Sequence, residues 1–313
     1  MARSLRAGIP GSRPFARVHG STSSPTYPAP VTVRRRLDAE LVRRGLLGSR
    51  RQAVEAIAAG RVRVAGSPAA APARLVGAGE PIQLVGEPPR FVSRGGEKLA
   101  AALDRFRVAV RGRHALDAGA STGGFTDCLL QAGVAHIDAV DVGRGQLSWS
   151  LRDDPRVTVR ERTNVRHLQP DDLGGPVDLT VADLSFISLV TVAPALARCT
   201  RVDGDFVLLV KPQFEAGKED VGGGGVVRDP EVWHRVLSDV AEACRREGLE
   251  VVGTMASPLL GPAGNVEFFL HARGAEAALN DVPGSDADAA VDEARALVGQ
   301  PGRRSEREEG TGA

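Results

Sequence analysis

The 313-residue chain has no stretch approaching the roughly 18 uninterrupted apolar residues of a membrane span, which argues against an integral membrane protein. Its three cysteines, Cys128, Cys199 and Cys244, lie far apart and form no CxxC pair. Neither a zinc knuckle nor a disulfide framework is indicated, no metal is expected, and a reduced cytoplasmic setting fits best. Lysine is scarce: of 40 basic residues only Lys98, Lys211 and Lys218 are not arginine. Where arginine serves nearly every positive charge, a retained lysine marks a place for a compact ammonium whose pKa burial and neighbours can lower. What is present is ordinary for a globular protein, 42% apolar and 25% charged residues, and excludes collagen-like and wholly disordered readings. The length suits one large and one small domain.

Net charge is only +1, but it is unevenly spread. Residues 1–66 hold 13 arginines against three acids (Asp38, Glu40, Glu55), so the remainder carries a deficit of nine. A basic front end points to an anionic partner such as nucleic acid, with a merely solvated basic face as the alternative.

Residues 1–32 contain no acid and no sustained apolar period, and read as a disordered extension. They superficially resemble an organellar transit peptide; a start codon placed too far upstream is an equal reading, and the missing apolar core argues against a secretory signal. A small basic module is expected over 33–87. Leu37, Leu41 and Val42 have helical spacing up to Gly45, and Ser49 with Gln52 forms a capping-box start for a second helix ending at Gly60. Val62 and Val64 alternate with Arg61 and Arg63 as a strand turned by Ala65-Gly66. The runs Arg36 to Gly45, Ser49 to Ala53 and Ala59 to Gly66 resemble an S4-type RNA-binding domain, although Ala65 stands where such domains usually place Asn. That resemblance implies binding of structured RNA, with Arg36, Arg43, Arg44, Arg50, Arg51 and Arg61 on phosphates. A short linker follows at 88–92, marked by Pro88-Pro89.

From 93 to 273 apolar runs alternate with helix-length segments, which predicts an α/β domain with a mostly parallel sheet covered on both faces. Residues 274–313 hold nine acids and four arginines and read as a disordered acidic tail.

The first strand of the α/β domain ends in Asp117-Ala118-Gly119-Ala120-Ser121-Thr122-Gly123-Gly124-Phe125-Thr126. A nucleotide-triphosphate loop would need lysine where Phe125 stands, and the dinucleotide fingerprint would need glycine where Ser121 stands. An acid before the loop and a second, Asp141, ending the next strand suit S-adenosylmethionine (SAM): Asp141 can accept the ribose hydroxyls, and Asp117 adds negative potential for a sulfonium. Another nucleotide or a plain tight turn remain the alternatives at this point. Asp183 and Lys211 end the fourth and fifth strands, Glu267 lies on the last strand, and Lys98 precedes the first. In an open α/β sheet the carboxyl ends of parallel strands share one edge, so Asp183 and Lys211 converge beside the glycine loop.

Lys98, Asp183, Lys211 and Glu267, in that order, resemble the tetrad of FtsJ-like ribose 2'-O-methyltransferases. With SRGGEKL, DAGASTGGFT, VADLSFIS and VKPQFE, and with the front module, residues 34–273 resemble the TlyA (haemolysin A) family of rRNA methyltransferases. The resemblance implies a class I, Rossmann-like SAM-dependent fold that methylates cytidine 2'-hydroxyls in 16S and 23S rRNA and so tunes ribosome binding of capreomycin-like antibiotics. Past Leu270 the chain continues like the longer family branch, which acts on both subunits. Lys211 is the proton-handling candidate, since an amine must accept the hydroxyl proton or fix the oxygen lone pair in line with the methyl-sulfur bond. The resemblance assigns Lys98 and Glu267 to orienting substrate and Lys211, and Asp183 to the space between Lys211 and the methionyl part of SAM. The expected cofactor residues are Asp117, Gly119, Ala120, Ser121, Gly123, Gly124, Phe125, Asp141, Val142, Asn164 and Asp183, with Val165 beside Asn164. Arg94 joins the RNA set, and Gly222 to Gly225 resemble a flexible substrate-side loop. Ribosomal RNA or subunits are the expected partners of a monomer. A non-catalytic RNA-binding protein should have lost tetrad members, and a membrane-active haemolysin should show an amphipathic or spanning segment.

Overall fold

The computed structural model describes residues 33–86, 89–275 and 286–299. The expected disordered extension over 1–32 lies outside the described residues. The front unit opens with β1 (Arg34–Arg36), α1 (Leu37–Arg43) and α2 (Arg50–Ala58). Four short strands follow, β2 (Val62–Val64), β3 (Ser67–Pro68), β4 (Leu75–Gly77) and β5 (Ile82–Leu84). β2 lies between β3 and β5, and β1 pairs antiparallel with β4. The apolar positions of the sequence, Leu37, Leu41, Ala53, Ile57, Val62, Val64 and Val76, close a small core. Ala65 and Gly66 make the hairpin turn with φ of 51° and 82°, so Ala65 takes the left-handed conformation that Asn would adopt more readily.

The capping box is only half formed. The Ser49 hydroxyl accepts from Gln52 N at 3.2 Å, but the Gln52 side chain accepts from Gly48 N and donates to Val92 O at 2.8 Å. Its amide joins the two units instead of closing the box. The linker expected at 88–92 is correspondingly short on freedom: Phe91 is buried in the second unit, and Val92 N donates to Asp127 Oδ2 at 2.8 Å.

The second unit begins with α3 (Arg94–Arg105), β6 (His114–Ala118), α4 (Gly124–Gln131), β7 (His136–Asp141), α5 (Trp149–Arg152) and β8 (Val157–Glu161). It continues through β9 (Val177–Ala182), α6 (Leu189–Cys199), β10 (Thr200–Val210) and α7 (Pro212–Glu215). It closes with α8 (Pro230–Arg246), β11 (Leu249–Ala256), β12 (Phe268–Gly274) and α9 (Ala287–Gly299). The seven strands run β11-β12-β10-β9-β6-β7-β8; β12 is antiparallel to both neighbours and the other pairings are parallel. On β10, Phe206, Leu208 and Val210 enter one core with α6 and α8, while Val207 and Leu209 enter the other with α3 and α4. A run buried on both faces must be apolar throughout, which is why Phe206 to Val210 shows no alternation. Glu267 falls just before β12 rather than on it.

The acidic tail is corrected in part. Residues 287–299 form α9, which buries Ala290, Val291 and Ala294 against the core and lies beside α8 and the edge strand β11. Glu293 Oε2 accepts from Ala256 N at 3.1 Å. The apolar stripe is narrow and made mostly of alanine, so acidic composition hid it; an uncovered edge strand supplies the partner. The rest of that expected tail, 276–285 and 300–313, lies outside the described residues. Among the described residues no helix is long and apolar enough to cross a membrane.

Candidate active site

The carboxyl ends of β6, β9 and β10 open onto a cavity of about 500 Å³. Its floor is the glycine loop. Gly119 has φ of 92°, and a Cβ there would lie 2.5 Å from Asp183 O, so only glycine lets the ends of β6 and β9 approach so closely. A Cβ on Gly124 would strike Ser93 Oγ and lie 2.9 Å from Gly96 N, where the start of α3 leans on the start of α4. Gly119, Ala120, Ser121, Gly124 and Phe125 line the cavity, and the Phe125 ring stacks on Phe269 behind it.

All four tetrad residues reach this cavity, as two ion pairs. Lys98 Nζ, on the first turns of α3 and 7% exposed, pairs with Glu267 Oε2, itself 1% exposed. Lys211 Nζ lies 2.5 Å from Asp183 Oδ1 and donates to Ser185 Oγ at 3.1 Å. Bare charges so placed would be costly, and each lysine has a carboxylate partner next to the apolar wall.

Several expected cofactor residues are placed elsewhere. Asp117 is fully buried beneath the loop and does not line the cavity; its Oδ2 accepts from Thr126 Oγ1 at 2.6 Å, and Oδ1 has no partner. Burial pushes its carboxyl up to about 7, with the Asp183 and Asp141 charges adding, although Thr126 pulls it down. Asp117 thus lies behind the loop, off the cavity lining. Asp141 accepts from Ser121 N at 2.8 Å and Gly143 N at 2.6 Å, and lines a small neighbouring recess that shares Ala120 and Ser121 with the cavity. Both carboxylate oxygens already hold the loop, each with a lone pair to spare. Val142 stands exposed on neither lining, and Gly123 begins α4 with φ of 97°. The Asn164 side chain accepts from Arg166 N and caps a short 3-10 turn away from the cavity lining, while Val165 is in the core. A Ser/Asn/Asp before a turn caps it by default, and sequence spacing alone could not tell that from a ligand contact.

The expected RNA arginines divide as well. Arg36 and Arg50 donate to the buried Asp38, and Arg43 donates to the buried Glu40; each keeps about half or more of its side chain exposed. The Arg36 guanidinium, against burial, and Arg50 hold Asp38 well below the usual carboxylate range; Arg43 and Arg44 hold Glu40 down to about 2. Arg44 braces the unit, because besides Glu40 it donates to the carbonyls of Gly77, Ala78 and Glu80. Arg61 is half-buried at the start of β2, with Nε unpartnered, and Arg51 lies in the first turn of α2. Arg94 lines the cavity and donates to Leu260 O at 2.8 Å. Sequence reasoning passed over Arg35, exposed on β1, and above all Phe186. Phe186 is 91% exposed with φ of 64°, against Phe214 at the cavity mouth. A lone phenylalanine inside VADLSFIS carries no signal of exposure.

Residues 91–274 match the FtsJ-like methyltransferase family, and residues 35–82 match the S4 domain. The chain belongs to the FtsJ-like methyltransferase family. The methyltransferase is 58% identical over 241 residues to the 16S/23S rRNA (cytidine-2'-O)-methyltransferase TlyA of Mycobacterium tuberculosis, an alignment covering 77% of this chain and 90% of that protein. It is 36% identical over 237 residues to Hemolysin A of Brachyspira hyodysenteriae, covering 75% and 98%. A solved structure of a candidate hemolysin from Streptococcus thermophilus matches with a TM-score of 0.68 and 40% identity, over 85% of this chain and 97% of that one.

SAM is the methyltransferase's cofactor, and the residues present fit it: a glycine floor without side chains, Asp183 at the rim, and the unpartnered Asp117 Oδ1 buried below. One group of three possible metal ligands occurs among the described residues, His114, His136 and Asp138, near the start of β6 and β7. Its carboxylate is taken up by Arg160 Nε at 2.6 Å and His114 Nε2 at 2.7 Å.

Proposed function

We propose that the protein methylates the ribose 2'-hydroxyl of cytidine in 16S and 23S rRNA, with Lys98, Asp183, Lys211 and Glu267 as the working set. The observation that carries this reading is the meeting of two lysine-carboxylate pairs in one cavity floored by a glycine loop. SAM, when bound, supplies an electrophilic methyl group on a sulfonium. Lys211 Nζ donates a hydrogen bond to the 2'-oxygen as an ammonium, or takes its proton as an amine, and in either role fixes the attacking lone pair. Asp183 keeps Lys211 from swinging away and accepts charge from it. Lys98 and Glu267 hold the far side of the ribose. Phe186 and Phe214 present an aromatic face at the mouth on which the target base stacks, an interaction typically worth about 1–3 kcal/mol. The front unit brings the RNA, with Arg36, Arg43 and Arg50 on phosphates.

The test is methyl transfer from labelled SAM to purified small and large ribosomal subunits, followed by mapping of the modified nucleotide by mass spectrometry. Label on cytidine 2'-oxygens in both rRNAs is expected. Base methylation, or no transfer by protein that binds SAM, would overturn the reading.

A further inference from the structure

The far edge of the sheet holds a second cavity, of about 490 Å³, that the transfer chemistry does not use. β10 connects the two: Asp205 precedes Lys211 by six residues, roughly 20 Å of strand. α3 connects them as well, with Lys98 near its start and Arg105 at its end. Arg105, Arg107, Arg113, Arg273 and His271 line this second cavity around a single acid, Asp205.

Asp205 is 4% exposed and serves as a hub. Its Oδ1 is 2.8 Å from His271 Nε2 and 3.2 Å from Arg273 Nε, and its Oδ2 pairs with Arg113. Burial works against its charge, but His271 and Arg113 hold it below the usual carboxylate range, so it stays ionised and anchors those groups in place. Among the described residues Arg105 pairs with Glu293 at 3.1 Å, in the open. Arg107 is exposed and has no ion-pair partner among the described residues. Four guanidiniums against Asp205 and Glu293 leave a surplus of two positive charges, His271 not counted.

The walls are stiff. Phe106 stacks on His271 with centroids 5.4 Å apart, and a Cβ on Gly253 would lie 2.8 Å from that ring. Gly253 follows a register shift between β11 and β12 that opens the backbone there. Arg107 itself ends α3 with φ of 54°, a left-handed position that glycine or asparagine takes at less cost.

We propose that this cavity binds a phosphate group, carried on an RNA backbone or on a free oligophosphate, with Arg107 and Arg105 supplying the unspent donors and Asp205 holding Arg113 in position behind them. Guanidinium forks match phosphate oxygens in pairs, and a stiff, net-positive recess loses little entropy on binding one. This inference does not depend on the methyl-transfer reading.

The experiment titrates the full-length protein with inorganic pyrophosphate by calorimetry, beside the double variant Arg107→Asn, Arg105→Gln. Asparagine tolerates the left-handed backbone, so the variant should keep its melting temperature, its SAM affinity and its kcat. One pyrophosphate per chain is expected, bound at least about tenfold more weakly by the variant. No binding to the parent protein, or equal binding to both, overturns the proposal. An rRNA fragment titrated over a range of salt then separates the sources. A slope of log K against log salt that falls by about one to two in the variant marks an RNA phosphate. An unchanged slope, with pyrophosphate affinity lost, marks a free oligophosphate.

Discussion

The cavity at the carboxyl ends of the strands and the front unit both rest on acids paired with cations, in different proportions. In the cavity each carboxylate has one cation, Lys98 for Glu267 and Lys211 for Asp183, so four charges cancel. In the front unit each has two, Arg36 and Arg50 on Asp38, Arg43 and Arg44 on Glu40. One-to-one pairing leaves the cavity without a surplus of charge from these four groups. Two-to-one pairing spends a single buried charge to aim a surplus of guanidiniums outward at a polyanion, and arginine's five donors allow that without exhausting the fork.

The strongest way to break the comparison is to give the cavity the front unit's cation. Lys211→Arg should cut methyl transfer by about 10²–10⁴-fold while SAM affinity stays within a few-fold, because a guanidinium keeps the charge but neither fits a compact pocket nor gives up its proton. Single-turnover rates beside calorimetric SAM binding decide it; substantial turnover would remove Lys211 from the mechanism. Removing the front unit, residues 1–86, tests the other half. RNA affinity should drop by orders of magnitude and its salt dependence flatten, with SAM binding preserved. The cut falls at 86 because β4 and β5 complete the unit's sheets, and stopping at residue 70 would strand them. Normal methylation by the truncated protein would show that the α/β unit finds its RNA alone.

A third prediction concerns an acid belonging to neither scheme. Asp117 has no cation, and its folded pKa is raised to about 7. Its contribution to stability is fully present below about pH 4, its ordinary value, and is lost as pH rises through about 7. Asp117→Asn should therefore gain stability over the parent at about pH 8, on the order of a few kcal/mol, with the gain falling to well under half at about pH 5 and vanishing below about pH 4. Urea melts at both pH values measure this, and equal effects at the two would mean Asp117 is charged throughout. The smallest effect is expected at Phe186. Phe186→Gly relieves a left-handed φ, so stability should hold or rise by roughly 0.5–1 kcal/mol while RNA affinity falls. Thermal melts and RNA titration together check it, and unchanged affinity would discount the aromatic face.

Much of the site was legible because its chemistry sits at strand ends. Once Asp117, Asp183 and Lys211 are placed at the ends of parallel strands, topology alone brings them to one edge. Lys98 and Glu267 were legible as residue types out of place, a rare lysine and an acid in an apolar strand-like run. Periodicity likewise determined α1, α2 and the doubly buried β10, since burial on one face or on both leaves its mark in the residues themselves.

Tertiary structure alone decided the rest, in most cases through a contact between distant segments. Arg44 reads like Arg43 until the carbonyls of Gly77, Ala78 and Glu80 arrive around it. Asp117 reads as a ligand until Thr126 and the glycine loop close above it. α9 reads as an acidic tail until the edge strand β11 offers its few alanines somewhere to go. The pairing of Lys98 with Glu267 joins residues 169 positions apart. A sequence determines what each residue can donate, accept or bury; which of those capacities is used depends on which distant groups the packed chain brings within about 3 Å.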